Sequence, residues 1–361
     1  MMLSVRYLAL ALALVSFVNG GVIYRVPLLP FSYGKPKHDY PGVQATGPNG
    51  PTNPKEPKLD TPINQTSMSR LASLNSVDDW CTFGPPDNTQ PLGNVEGEVV
   101  AWCTKPRNNA RVIPDGTVTS AHFVKTPLYV QVMARGDFTK IGFQANDTGG
   151  ELDPHGATGK GNPIGGNVTS NVTGKDVFYQ EWMNYVGHDI LCFRVCIAGS
   201  DQAEPKSECQ HTLDEMGCWS IMPGDYTDNV FDSCEADAAY PPGIYVSGGS
   251  TSSFQQYATG LWTDKGKEKT YTNGVSTQTT PTTAMSTPSS SNCKTASSIA
   301  NGIKSIVPPP APSPADGGDA PAPDAPKPDA PAPADDAPKS DAPAPADDAP
   351  KSDAPAPAPS S

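Results

Sequence analysis

GTVTSAHFVKTPLYVQV, residues 116–132, is the stretch that decides the fold. It is rich in β-branched and aromatic residues and is broken only by Thr126-Pro127, so it predicts β-strand rather than helix. Working outward, GEVVAWCT (97–104) and FTKIGFQ (138–144) read as further strands, with Gly136-Asp137 and Asn146–Gly150 as turns between segments. Lys175–Val195 is ambiguous and fits a helix running into a strand, and GIYV (243–246) reads as a closing strand. Short strands separated by Gly and Pro turns predict a mostly β core, a sandwich or jelly-roll-like fold with one possible short helix.

Composition divides the chain around that core. Residues 1–20 have the layout of a secretory signal peptide: Arg6, an apolar run from Tyr7 to Val18, and Val18 and Gly20 before a cleavage point at Gly21. That run is shorter than the roughly 20 residues a bilayer span needs. Residues 21–79 form a Pro/Gly-rich irregular arm, 80–250 the disulfide-bonded core, and 251–305 a Ser/Thr-rich stretch expected to be an O-glycosylated stalk. Residues 306–361 form a Pro/Ala/Asp tail in which DAPAPADDAPKS at Asp329–Ser340 is repeated at Asp341–Ser352. The tail has no apolar face to stack and is expected to be an extended, solvated spacer. From Ala315 onward, ten Asp against three Lys supply more than half of the formal charge of −13. That acidity disfavours nucleic acid and anionic membrane as partners.

All eight cysteines follow the signal segment: Cys81, Cys103, Cys192, Cys196, Cys209, Cys218, Cys234 and Cys293. An even number in an exported chain predicts disulfides, with the pairing left open. The rival, zinc held by Cys192, Cys196, Cys209, His211 and Cys218, matches no common zinc spacing. Four sequons, at Asn64, Asn146, Asn167 and Asn171, are candidate N-glycosylation sites, and the last two are expected on one surface loop.

The densest candidate for chemistry is GGELDPHGATGKGNPIGG, residues 149–166. In an extended segment, Glu151, Asp153 and His155 alternate and would share a face, as a metal site or acid–base group requires. Pro154 and the flanking glycines favour a structural turn instead, with surface carboxylates whose replacement changes little. Asp115 and Asp137 are the other core acids to nominate for a two-carboxylate glycosidase arrangement. His122, His188 and His211 are scattered and read as packing or surface residues. Trp80, Trp102, Trp182 and Trp219 could offer a sugar-stacking platform. Three of them abut a cysteine, which favours core packing. Neither G-x-S-x-G nor H-E-x-x-H occurs. The residues therefore predict no enzyme, catalytic set, metal or cofactor.

A set of ordered words adds a resemblance. WCTFGPP (80–86), EGEVVAWCTKP (96–106), AR-x-IPDGT (110–117), HFVKTP-x-YVQV (122–132), GDFTKI (136–141), GGELDPHGA (149–157), GNPIGG (161–166), CFRVC (192–196), MGCWSIMP (216–223) and PPGIY (241–245) occur in that order. Together they resemble the fungal macrophage-activating glycoprotein and immunoreactive mannoprotein family. The resemblance implies a secreted or wall-associated mannoprotein, recognised by host immune cells through its glycans. It brings no catalytic residues. Family members often end in a GPI-anchor signal, whereas this chain ends PAPAPSS, so release or noncovalent wall association is expected in place of a lipid anchor. Wall polysaccharide and host receptors are the expected partners, with an extracellular carbohydrate-binding module as the alternative role.

Overall fold

The computed structural model describes residues 46–47, 50–156, 161–197, 205–264 and 267–304. The expected signal segment 1–20, most of the first half of the arm and the tail 306–361 lie outside the described residues. The chain is mostly β, in two large sheets. The six-stranded sheet holds β3 (Leu71–Ser76), β4 (Asp79–Gly84), β5 (Val100–Cys103), β6 (Arg111–Val112), β10 (Asn167–Ser170) and β11 (Val177–Tyr179), in the order β11-β10-β3-β4-β5-β6. The seven-stranded sheet holds β7 (Val118–Lys125), β8 (Tyr129–Gly136), β9 (Gly150–Leu152), β12 (Trp182–Val186), β13 (Ile190–Cys196), β14 (Phe231–Ala236) and β19 (Ser290–Ala296), in the order β19-β14-β7-β8-β13-β12-β9. Short hairpins pair β1 (Thr46–Gly47) with β2 (Gly50–Pro51), β15 (Ile244–Ser247) with β16 (Ser250–Ser253), and β17 (Ala258–Asp264) with β18 (Lys267–Asn273).

Alternation along the central strands shows why the seven-stranded sheet is buried on both faces. Val130, Val132 and Ala134 of β8, with Leu191, Phe193 and Val195 of β13, pack with Leu74, Trp80 and Phe83 of the facing sheet in one apolar cluster. Phe83 has its ring centroid 5.3 Å from Trp182 and 6.0 Å from Phe193. Asn184 ties the layers together: its Oδ1 accepts from Thr82 Oγ1 at 2.9 Å and Phe83 N at 3.0 Å. The opposite side chains, Tyr129, Met133, Tyr185 and Cys192, join Leu213, Met216, Ile221 and Met222 in a second cluster. An irregular layer thus covers the outer face, with α3 (Gly217–Ile221) held to β13 by Cys192–Cys218. Under it Arg194 is fully buried, its guanidinium 3.9 Å from the Tyr129 ring centroid and bonded to Gln131 Oε1 and the Glu208 carbonyl.

All eight cysteines are paired, as Cys81–Cys103, Cys192–Cys218, Cys196–Cys209 and Cys234–Cys293. The bridges consume the thiols of the rival zinc set. Three local expectations are corrected. Phe138–Ile141 is a 3-10 turn rather than a strand, because Phe138 and Ile141 both face the core within that turn. Lys175–Val195 holds three strands and no helix, since Gly187–Asp189 turns β12 back onto β13. The folded unit also exceeds 80–250: β3 precedes it, and the expected stalk carries β16 to β19, with Cys293 bridged to β14.

Candidate functional site

The site forms at the β9 edge of the seven-stranded sheet. β9 pairs antiparallel with β12, which sets Glu151 opposite Tyr185 on the face under the irregular layer. Glu151 and Asp153 are both buried, at 6% and 3% exposure, so the expectation of surface carboxylates is corrected. The chain leaves β9 through the expected turn: Asp153 Oδ1 accepts from the backbone N–H of His155 and of Gly156, while Asp153 and Asn162 exchange two backbone bonds. The chain bends at Pro154 and His155, so the extended alternation ends at Asp153. His155 Nε2 lies 3.1 Å from Glu181 Oε2, and its ring stacks on His211 at 4.1 Å between centroids. His211 Nδ1 in turn lies 3.8 Å from Asp153 Oδ1.

Two more acids converge from other elements. Glu96, just after α1 (Leu92–Val95), lies over Gly150 and accepts from Asn162 Nδ2 at 3.0 Å. Asp214 comes from the irregular layer. Burial, then the neighbouring charges of Asp214 and Asp153, pushes the Glu96 carboxyl up to about 7. Burial and Asp153 push Asp214 up to about 6. Burial and then Asp153 hold the Glu151 carboxyl well above the usual carboxylate range, which favours its protonated form. The bond to Glu181 raises His155, whereas burial lowers His211. The cluster therefore shares a small number of protons among groups that repel one another when ionised.

A cavity of about 290 Å³ opens beside it, lined by Gly149, Tyr185, Ile190, Asp214, Glu215 and Gly217 among others, with no Lys or Arg among the described residues of its wall. Tyr185 is 4% exposed and its hydroxyl has no hydrogen-bond partner; Glu151 Oε1, behind it, has none either. A buried polar atom without a partner costs roughly 1–3 kcal/mol, so both atoms are sites of local destabilisation behind the cavity wall.

The other expected residues lie elsewhere. Asp115 accepts from the backbone of Asn301 and Gly302, and Asp137 accepts from the Thr139 hydroxyl at an exposed turn, so neither joins Glu151 and Asp153. Trp80, Trp102 and Trp182 are core residues, whereas Trp219 is 53% exposed against Tyr226, which corrects its assignment to the core. Asn64, Asn146 and Asn171 are exposed. Asn167 instead begins β10, buried, with its Nδ2 donating to the Gly165 carbonyl, so the expected shared loop is corrected for it. The sequence reading missed Glu96, Glu181, Asp214 and Tyr185. Apart from the period-2 pattern that pairs Tyr185 with β9, it held no local signal for them.

No protein-family model matches the chain, and no solved structure matches it. Two fungal proteins do. Appressorium protein ROW2 of Mycosarcoma maydis is 45% identical over 175 residues, covering 48% of this chain and 59% of that protein. Appressorium protein ROW1 of the same fungus is 38% identical over 244 residues, covering 66% of this chain and 51% of that protein. The chain is thus similar to two fungal appressorium proteins, and it spans between half and three fifths of the length of the curated relatives it matches.

Proposed function

We propose that this chain is an exported fungal surface glycoprotein with a structural or interaction role and no catalytic one. The observation that carries the reading is the pairing of all eight cysteines, a state suited to an oxidising compartment outside the cytosol. Similarity to two appressorium proteins supports a place at the fungal surface. The resemblance to mannoproteins supports mannose-rich glycans, wall association and contact with host immune receptors. The test is expression of the full chain in a fungal host, followed by fractionation and endoglycosidase treatment. The expected result is a wall or medium fraction, an N-terminus near Gly21 and a downward mass shift. An intracellular, unshifted product would overturn it.

A second reading has its own observation. A cavity walled by the carboxylates of Asp214 and Glu215 and by Tyr185 favours binding of a hydroxyl-bearing ligand, such as a sugar unit of wall polysaccharide. Glu215→Gln, at an exposed position in the cavity wall, should then weaken retention on insoluble wall glucan or chitin with little change in thermal stability. Equal retention of the two proteins would leave the cavity no part in binding.

A further inference from the structure

A second cluster lies away from the carboxylate site, on the outer face of the sheet where β7 and β14 run parallel. Their register sets His122 beside Asp232. His122 is 2% exposed, and both of its ring nitrogens face oxygen. Nε2 lies 2.9 Å from the Thr227 carbonyl, which can only accept, so the Nε2 proton is fixed there. Nδ1 lies 3.0 Å from Asp232 Oδ1 and 3.8 Å from Asp225 Oδ2. The other Asp225 oxygen takes the Thr227 N–H at 2.8 Å, so the loop that orients the ring also aims the second carboxylate at it.

With Nε2–H fixed, Nδ1 has two states. It either carries a second proton and pairs with the carboxylates, or presents a lone pair to two anions, which only a cation between them can stabilise. We propose that His122 Nδ1, Asp225 and Asp232 form a binding site for a first-row divalent cation of the zinc class. The three ligand atoms lie within 4.8 Å of one another. Tetrahedral zinc, with bonds near 2.0–2.1 Å, sets ligands about 3.3 Å apart, within a few tenths of an ångström of both distances to Nδ1. A carbonyl holding the far ring nitrogen is the arrangement that orients ligating histidines. One imidazole and two carboxylates exclude calcium as the best fit, because calcium takes six to eight oxygens. They also neutralise a dication, whereas the protonated site keeps a net negative charge. Asp225 is half-exposed, which gives the ion an entry path and leaves solvent in the fourth position. The nearby Asp232–Cys234–Cys293 group does not compete, because its sulfurs are joined in a disulfide.

Binding the ion displaces the Nδ1 proton to solvent, so zinc and proton compete. Asp225 and Asp232 are the charged groups facing the ring among the described residues. The experiment titrates zinc chloride alone into the chelator-stripped full chain by calorimetry, at about pH 7.5 and about pH 5.5. Wild type should show one saturable site, weaker at the lower pH because protons compete with metal for its ligands. Asp225→Asn, at a half-exposed position that should still fold, should weaken binding at least tenfold, and His122→Asn should abolish it. Thermal melts with zinc and with EDTA check folding and should separate for wild type alone. Absence of saturable zinc binding would overturn the proposal and leave an ion pair only. Binding undiminished in Asp225→Asn would overturn it equally and move the zinc elsewhere, such as to His155, His211 and Glu181.

Discussion

Glu151 shows how far a residue's role depends on what folds over it. In sequence it is a carboxylate among glycines. In the fold its cross-strand pairing with Tyr185 buries it near Asp153 and Asp214, where burial and those carboxylates favour its protonated form. Glu151→Gln preserves its shape and removes its titration. It should leave stability unchanged in acid and raise it as pH climbs toward neutrality, read from thermal melts at both pH values. Asp153 was more legible, because an Asp before Pro predicts the turn that its Oδ1 closes at Gly156. His211, Glu96 and Asp214 were not legible as site members, since each reaches the cluster only through long-range packing. The sequons divide in the same way. Asn64, Asn146 and Asn171 are exposed, whereas a glycan on Asn167 would have to replace a buried amide in β10. Glycopeptide mass spectrometry of the exported protein should find Asn167 unoccupied, and carbohydrate there would show that β10 is not formed as described.

At the scale of elements, β7 and β8 were readable because their side chains alternate between two apolar clusters over eight residues each. FTKIG was not, because two apolar residues three apart satisfy a 3-10 turn as well as a short strand. The strands of 177–196 were hidden for a related reason: both faces of β12 and β13 are buried, so the apolar run loses its period. The β9 edge depends on a close approach. Gly149 has φ +87°. A Cβ there would sit 1.8 Å from the Val186 carbonyl oxygen, on backbone that cannot swing aside. Gly149→Ala should therefore cost about 2 kcal/mol or more and loosen β9 from β12. Hydrogen exchange should show lost protection at Leu152 and Val186 with the β7–β8 amides unaffected. Gly150→Ala meets only the end of the Glu96 side chain and should be milder. Equal costs for the two would mean that the edge tolerates displacement.

Across the whole molecule, buried acids give stability a sign with respect to pH. Glu208, almost wholly buried beside Arg194, is pushed up to about 7 by desolvation, which outweighs that guanidinium. Glu96 rises to about 7 and Asp214 to about 6, and Glu151 lies well above its ordinary range. Each binds its proton more tightly folded than unfolded. Stability is therefore lost as pH climbs from the ordinary carboxylate range, about 4, toward the folded values. His155, also raised, acts in the same direction: its contribution is present in acid and lost as pH passes its folded value. His211, lowered by burial, opposes it and recovers stability with rising pH. Asp78 and Asp225 are held below the usual range, so their contributions vanish in strong acid and bound the optimum from below. The melting temperature should peak near about pH 5 and fall by several degrees by about pH 8. Glu208→Gln should flatten that decline, recovering up to about 3 kcal/mol at the alkaline end. Arg194 keeps the Gln131 oxygen and the carbonyl of residue 208 in that variant, so no buried cation is left without acceptors. A melting temperature that rises from pH 5 to 8, or a Gln variant as pH-sensitive as wild type, would show that these acids are ionised and solvated rather than buried and protonated.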